Sequence, residues 1–161
     1  MNGEGERIRA LLRECGIHAR RIRRARDRCV ELFPLDEDSY RALTEDEVEH
    51  IDQLLYRFTR LQDVLGARLF PALMGTLRED ADSMTIFDVL TALEGAGAIP
   101  SQEEWLRLRE LRNRIAHEYE YDARAGSESL NELHASLDEL LRAWEATSRF
   151  ANEKVLPSLP E

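Results

Sequence analysis

The sequence is short of the residues that mark several protein classes. Two cysteines in 161 residues exclude a disulfide scaffold, and eight glycines with five prolines exclude a collagen-like or low-complexity chain. Aromatic residues make up only 7 %, whereas leucine, arginine and acidic residues are plentiful. No apolar run approaches the roughly 18 residues of a membrane span, and the first residues lack the apolar stretch of a secretory signal. β-alternation of useful length is missing too. These absences lead to the expectation of one helical domain over residues 1–161, cytoplasmic and without membrane contact.

What is present in excess is charge. There are 22 basic and 32 acidic side chains, a formal balance of −10, which argues against a general nucleic-acid coat but leaves room for a local basic site. Residues 1–30 carry nine arginines against Glu4, Glu6, Glu14 and Asp27, a balance of 9 − 4 = +5, and the remainder therefore holds −15. One end is basic and the body acidic.

Apolar spacing predicts five helices. From Arg7 to Phe33 the series Ile8, Leu11, Cys15, Ile22, Ala25, Cys29, Leu32 advances by three and four, interrupted only by His18. Arg9, Arg13, Arg20, Arg24 and Arg28 fall mostly off that stripe, as either a solvated face or a phosphate-tracking surface. Cys15 and Cys29 would lie about 21 Å apart on one helix, too far to bridge, and read as buried thiols. Pro34 and the run Asp36, Glu37, Asp38 stop the helix. Thr44 with Glu47 resembles a capping box, opening a long helix through Leu73 in which Pro71, flanked by Gly66 and Gly75, predicts a kink. Shorter segments follow at Thr85 to Ala96 and Ser101 to about Tyr119. After a polar gap through Asp122, Gly126 and Ser127, a last helix is expected over Ser129 to Lys154. An all-α, up-and-down bundle of four or five helices is the economical arrangement.

Most chemical signatures are missing. There is no glycine-rich phosphate loop, and His18, His50 and His134 stand alone, so no metal and no cofactor is assigned. The exception is Leu111 to Asp122, LRNRIAHEYEYD. On a helical wheel with Trp105 at zero, Leu108, Leu111, Ile115 and Tyr119 occupy an arc from about 240° to about 320°, with Ala116 near 20°. Arg112 falls near 340°, inside this core-facing arc, where a permanent charge must be paired, snorkel to an edge or line a cleft. Asn113 and His117 share the adjoining shoulder with Leu106 and Arg109.

A guanidinium, an amide and an imidazole suit phosphodiester chemistry without a metal. Histidine moves protons near neutrality, and arginine holds phosphate and offsets developing negative charge. On RNA the internal nucleophile is the ribose 2′-hydroxyl, and the product a cyclic phosphate. Arg112 and His117 are about 140° apart on a straight helix, so convergence needs a bend or a second copy of the site.

The string Arg112-Asn113-Arg114-Ile115-Ala116-His117-Glu118-Tyr119 resembles the motif of the HEPN superfamily: arginine, a polar residue commonly asparagine, then histidine four to six residues after the arginine. The tyrosine two positions beyond the histidine is similar to that of HepT-like toxins. The resemblance is carried by residues 105–121. It implies a HEPN-like bundle acting as a metal-independent endoribonuclease on RNA, with Arg112, Asn113 and His117 as catalytic residues and a cleft shared across a homodimer. It also implies an MntA-like nucleotidyltransferase antitoxin that silences the toxin by adding AMP to Tyr119, with Tyr121 a second acceptor. The wheel itself gives Tyr119 a packing role.

Two other readings fit the residues. One is a non-catalytic module that docks on a nucleotidyltransferase and binds a nucleotide through Arg112 and Asn113. The other is a structural bundle in which Arg112 pairs with a carboxylate such as Asp63.

Overall fold

Helix starts in this chain are set by short polar side chains that satisfy otherwise orphaned backbone N–H groups. In the computed structural model, which describes residues 3–118 and 122–160 except for the side chains of His117 and Glu118, three such boxes are closed. Thr44 pairs reciprocally with Glu47, Thr85 with Asp88, and Asp36 with Ser39. The last opens a short helix inside the acidic stretch read as stopping the first helix, because Asp36 caps as well as it terminates.

The elements are α1 (Gly3–Cys29), α2 (Glu37–Arg41), α3 (Glu45–Val64), α4 (Phe70–Leu77), α5 (Ile86–Gly95), α6 (Gln102–Glu118) and α7 (Ala123–Phe150). The described residues contain no strand. A π-helical turn over Leu65–Leu69 joins α3 to α4, so the two run on as one rod. The irregularity expected at Pro71 thus takes the form of a widened turn just before it. Proline has no N–H and its ring crowds the carbonyl four residues back, and a π turn relaxes that crowding. Counting the rod once, the described residues form six helices, with α2 the addition to the expected set.

The last helix departs most from expectation. It begins at Ala123, where the Asp122 carboxylate accepts from the Arg124 N–H, and not at Ser129. Gly126 and Ser127, read as loop on composition, are buried helical residues. Their small side chains permit close packing, and burial overrides their weak helix propensity.

The core is aliphatic. α1 lies along α3, with Ile8, Leu11, Cys15, Ala19 and Ile22 meeting Leu54, Phe58 and Leu61 in one cluster that α4 to α7 complete with Phe70, Leu90, Trp105, Leu137 and Leu140. His18, the break in the α1 series, is nevertheless buried. Arg57 Nη1 approaches its Nδ1 at 2.9 Å, and Glu14 beside it accepts from Arg60 and Arg68 at 3.2 and 3.0 Å. Both cysteines are free and fully buried, as their spacing implied. Burial pushes the Cys15 thiol up to about 12 and that of Cys29 to about 11.

A smaller cluster of Cys29, Leu35, Ile51 and Leu130 seats the connection after α1. Asn131 clamps it, accepting from the Leu35 N–H and donating to the Leu35 carbonyl, both at 2.7 Å. No helix of the described residues is long and apolar enough to cross a membrane.

Candidate functional site

Along α6 the expected core arc is real. Trp105, Leu108, Leu111 and Ile115 are at most 4 % exposed, which fixes how the helix is rolled and which residues stand on its shoulders. Ala116, placed at the edge of that arc by the wheel, is exposed.

Arg112 is half-buried and does two of the things a core-facing guanidinium can do. Its Nη2 donates to Asp63 Oδ2 on α3 at 3.0 Å, and its Nη1 donates to Asn113 Oδ1 at 3.3 Å. It also lines a cleft of about 370 Å³ between the α3–α4 rod, α5 and α6. The rod contributes Gln62, Asp63, Gly66 and Ala67, α6 contributes Trp105, Arg109, Arg112 and Asn113, and Ile86 closes one side.

Two residues lining this cleft each carry a buried donor with no hydrogen-bond partner among the described residues, Arg112 Nε and Gln62 Nε2. An unmet buried donor is costly to the fold. Gly66 shapes the floor: a Cβ there would sit 3.1 Å from Trp105 Cζ2, so the indole and the π turn approach as closely as they do because residue 66 has no side chain.

Of the residues singled out from the sequence, Arg112 and Asn113 are brought together at the cleft. His117 lies on the same helix, five residues on, about 7.5 Å along the axis and about 140° around it from Arg112; its side chain falls outside the described residues, as do Tyr119 and Tyr121 entirely. The pairing of Arg112 with Asp63, expected of a structural role, is present.

Gln62, Gly66 and Trp105 were not anticipated as cleft residues. Arg109 was legible, since it sits four residues before Asn113 on one stripe. Gln62 and Gly66 could not be found on α6, because they arrive from the rod through tertiary packing.

The isolated histidines stand elsewhere. His134 stacks on Phe33 with centroids 4.2 Å apart, and burial first, then the Arg26 cation, holds its pKa below the ordinary value. His18 is also held low, by burial and then by Arg57, with Glu14 opposing. Among the described residues no three His, Cys, Asp or Glu converge as metal ligands.

Comparison with known proteins returns no matching family model, no matching curated protein and no matching solved structure. The HEPN resemblance therefore rests on the sequence of residues 105–121.

Proposed function

We propose that this chain is a HepT-like toxin of the HEPN type, a metal-independent endoribonuclease acting on RNA as a homodimer. The observation that carries the reading is the half-buried Arg112 lining the cleft, oriented by Asp63 and next to Asn113. A guanidinium fixed in this way is preorganised for a phosphate, and such groups act most strongly where negative charge develops.

In the proposed reaction the ribose 2′-hydroxyl loses its proton and attacks the neighbouring phosphorus. The bond to the 5′-oxygen of the next nucleotide breaks, that oxygen takes up a proton, and a cyclic phosphate remains. His117 carries the protons, Arg112 stabilises the extra charge on phosphorus, and Asn113 orients the phosphate or the imidazole. A second copy of α6 across a dimer supplies the convergence that a single straight helix lacks. Regulation follows the same resemblance, with an MntA-like nucleotidyltransferase adding AMP to Tyr119.

The Arg112–Asp63 ion pair also favours a second reading, in which Arg112 only ties α6 to α3. The two separate in one experiment: incubate RNA with the purified protein in EDTA, wild type beside His117→Ala and Arg112→Ala, and examine product ends. The expected result is cleavage by the wild type alone, leaving cyclic phosphate. No cleavage by a wild type shown by mass spectrometry to be free of AMP overturns the nuclease reading and leaves a structural or partner-binding module.

A further inference from the structure

Ten of the arginines in this chain hold a carboxylate within 4 Å. That is what a protein with ten more acidic than basic side chains should offer. Of the other eleven arginines, four stand together. Arg20, Arg21, Arg24 and Arg28 of α1 are all exposed, and none is in an ion pair among the described residues. With His50 and Gln53 of α3 they line a groove of about 570 Å³ in which no carboxylate is among the lining residues.

Arg20, Arg24 and Arg28 follow each other at four-residue steps, about 6 Å apart along the helix axis. They form a row of cations rather than a single point. Like charges held side by side repel unless an anion lies across them, and Arg21 adds to the burial that lowers the pKa of neighbouring Arg57. Toward the N-terminal side of the row, Ile17 on α1 and Tyr56 on α3 are exposed at 40 % and 53 %, with the Arg57 guanidinium 5.1 Å from the Tyr56 ring centroid.

We infer that the α1–α3 groove is a binding track for a single-stranded nucleic acid, its phosphates lying along Arg20, Arg24 and Arg28 and a base stacking on Tyr56. A row of arginines with an exposed aromatic beyond the groove's lining, next to the Arg57 that Arg21 influences, is the combination that single strands use: cations track the backbone, and a ring offers a face to any base. An acidic protein segment would be met by the cations but has no use for the ring. A duplex presents no free base face to Tyr56. The track is separate from the Arg112 cleft and does not depend on that cleft being catalytic.

The test is fluorescence anisotropy with labelled single-stranded 15-nucleotide RNA and DNA, the corresponding duplexes and unlabelled polyglutamate as competitor. Catalysis is removed from the measurement by using the His117→Ala protein, and binding is read from about 50 to about 200 mM salt. Binding of single strands is expected, with affinity falling steeply as salt rises. A variant carrying Arg20→Ala, Arg24→Ala and Arg28→Ala is expected to bind about tenfold or more weakly, with the slope of log affinity against log salt reduced by about 2, from about 0.7 per lost contact. Tyr56→Ala should weaken binding at every salt concentration without changing the slope.

All four changed residues are exposed, so folding is checked by circular dichroism, and Arg24→Glu alone serves if the triple variant unfolds. An unchanged affinity in the triple variant or Arg24→Glu overturns the proposal. So does competition by polyglutamate equal to that by nucleic acid, or binding of duplex equal to single strand. RNA and DNA bound equally would fit a track that reads phosphate and base face. Because binding is measured without catalysis, its failure leaves the cleavage experiment intact, and absence of cleavage leaves the track intact.

Discussion

Arg112 and Asp63 join α6 to the α3–α4 rod across 3.0 Å, with side chains 32 % and 36 % exposed. Water reaches both partners, so the pair contributes little to stability, about 0.2–1 kcal/mol. A double-mutant cycle with Arg112→Ala and Asp63→Ala, followed by urea unfolding, should give a coupling energy in that range. The effect on chemistry should be far larger. Arg112→Ala is expected to slow RNA cleavage by about 100-fold or more, as removal of a preorganised charge-stabilising group does. Cleavage unchanged by Arg112→Ala would reduce the pair to a tie between helices.

Gly66 is the second point at which the cleft can be probed. Its missing side chain lets the π turn lie against Trp105, which is almost fully buried and stacked at a tilt on Phe70 with centroids 4.7 Å apart. Trp105 has no room to retreat. Gly66→Leu should therefore destabilise the fold by about 1–3 kcal/mol, the usual cost of overpacking, and fill part of the cleft. Urea unfolding and tryptophan fluorescence would check it. A fully wild-type stability with an unshifted emission maximum would mean that the turn and the indole are not in contact.

How far the sequence could be read depended on how local the cause was. The helices with three- and four-residue apolar steps, the Thr44 and Thr85 starts, the two buried thiols and the roll of α6 were all legible, because each is decided within a turn or two of chain. The start of α7 was not: Gly126 and Ser127 carry loop composition, and only their burial explains their helical state. At the site, Arg112 and Asn113 could be read from spacing, while Asp63 was only one example of a carboxylate that could pair with the arginine. Gln62, Gly66 and the two unmet buried donors belong to the packing of two distant segments, which no periodicity records. The α1 arginines were legible as a row but ambiguous between solvent and phosphate, and what distinguishes the cases is the absence of carboxylates from the groove they share with α3.

The buried His18 and the half-buried His134 give stability a pH dependence whose direction is fixed. His18 and His134 both have folded-state pKa values below the ordinary 6.5, each chiefly through burial and then through an arginine, Arg57 for one and Arg26 for the other. Below 6.5 the unfolded chain binds protons at these positions that the folded chain refuses, so unfolding takes up protons and stability falls as pH falls. The contribution is complete above 6.5 and is lost between 6.5 and the lowered folded values. Carboxylates of ordinary pKa do not titrate in the upper part of that window. Urea midpoints should accordingly decline from about pH 7.5 to about pH 5.5. In a protein with His18→Gln and His134→Gln the decline should flatten, even though lost packing lowers stability at every pH. An equally steep decline in the double variant would show that other groups carry the linkage.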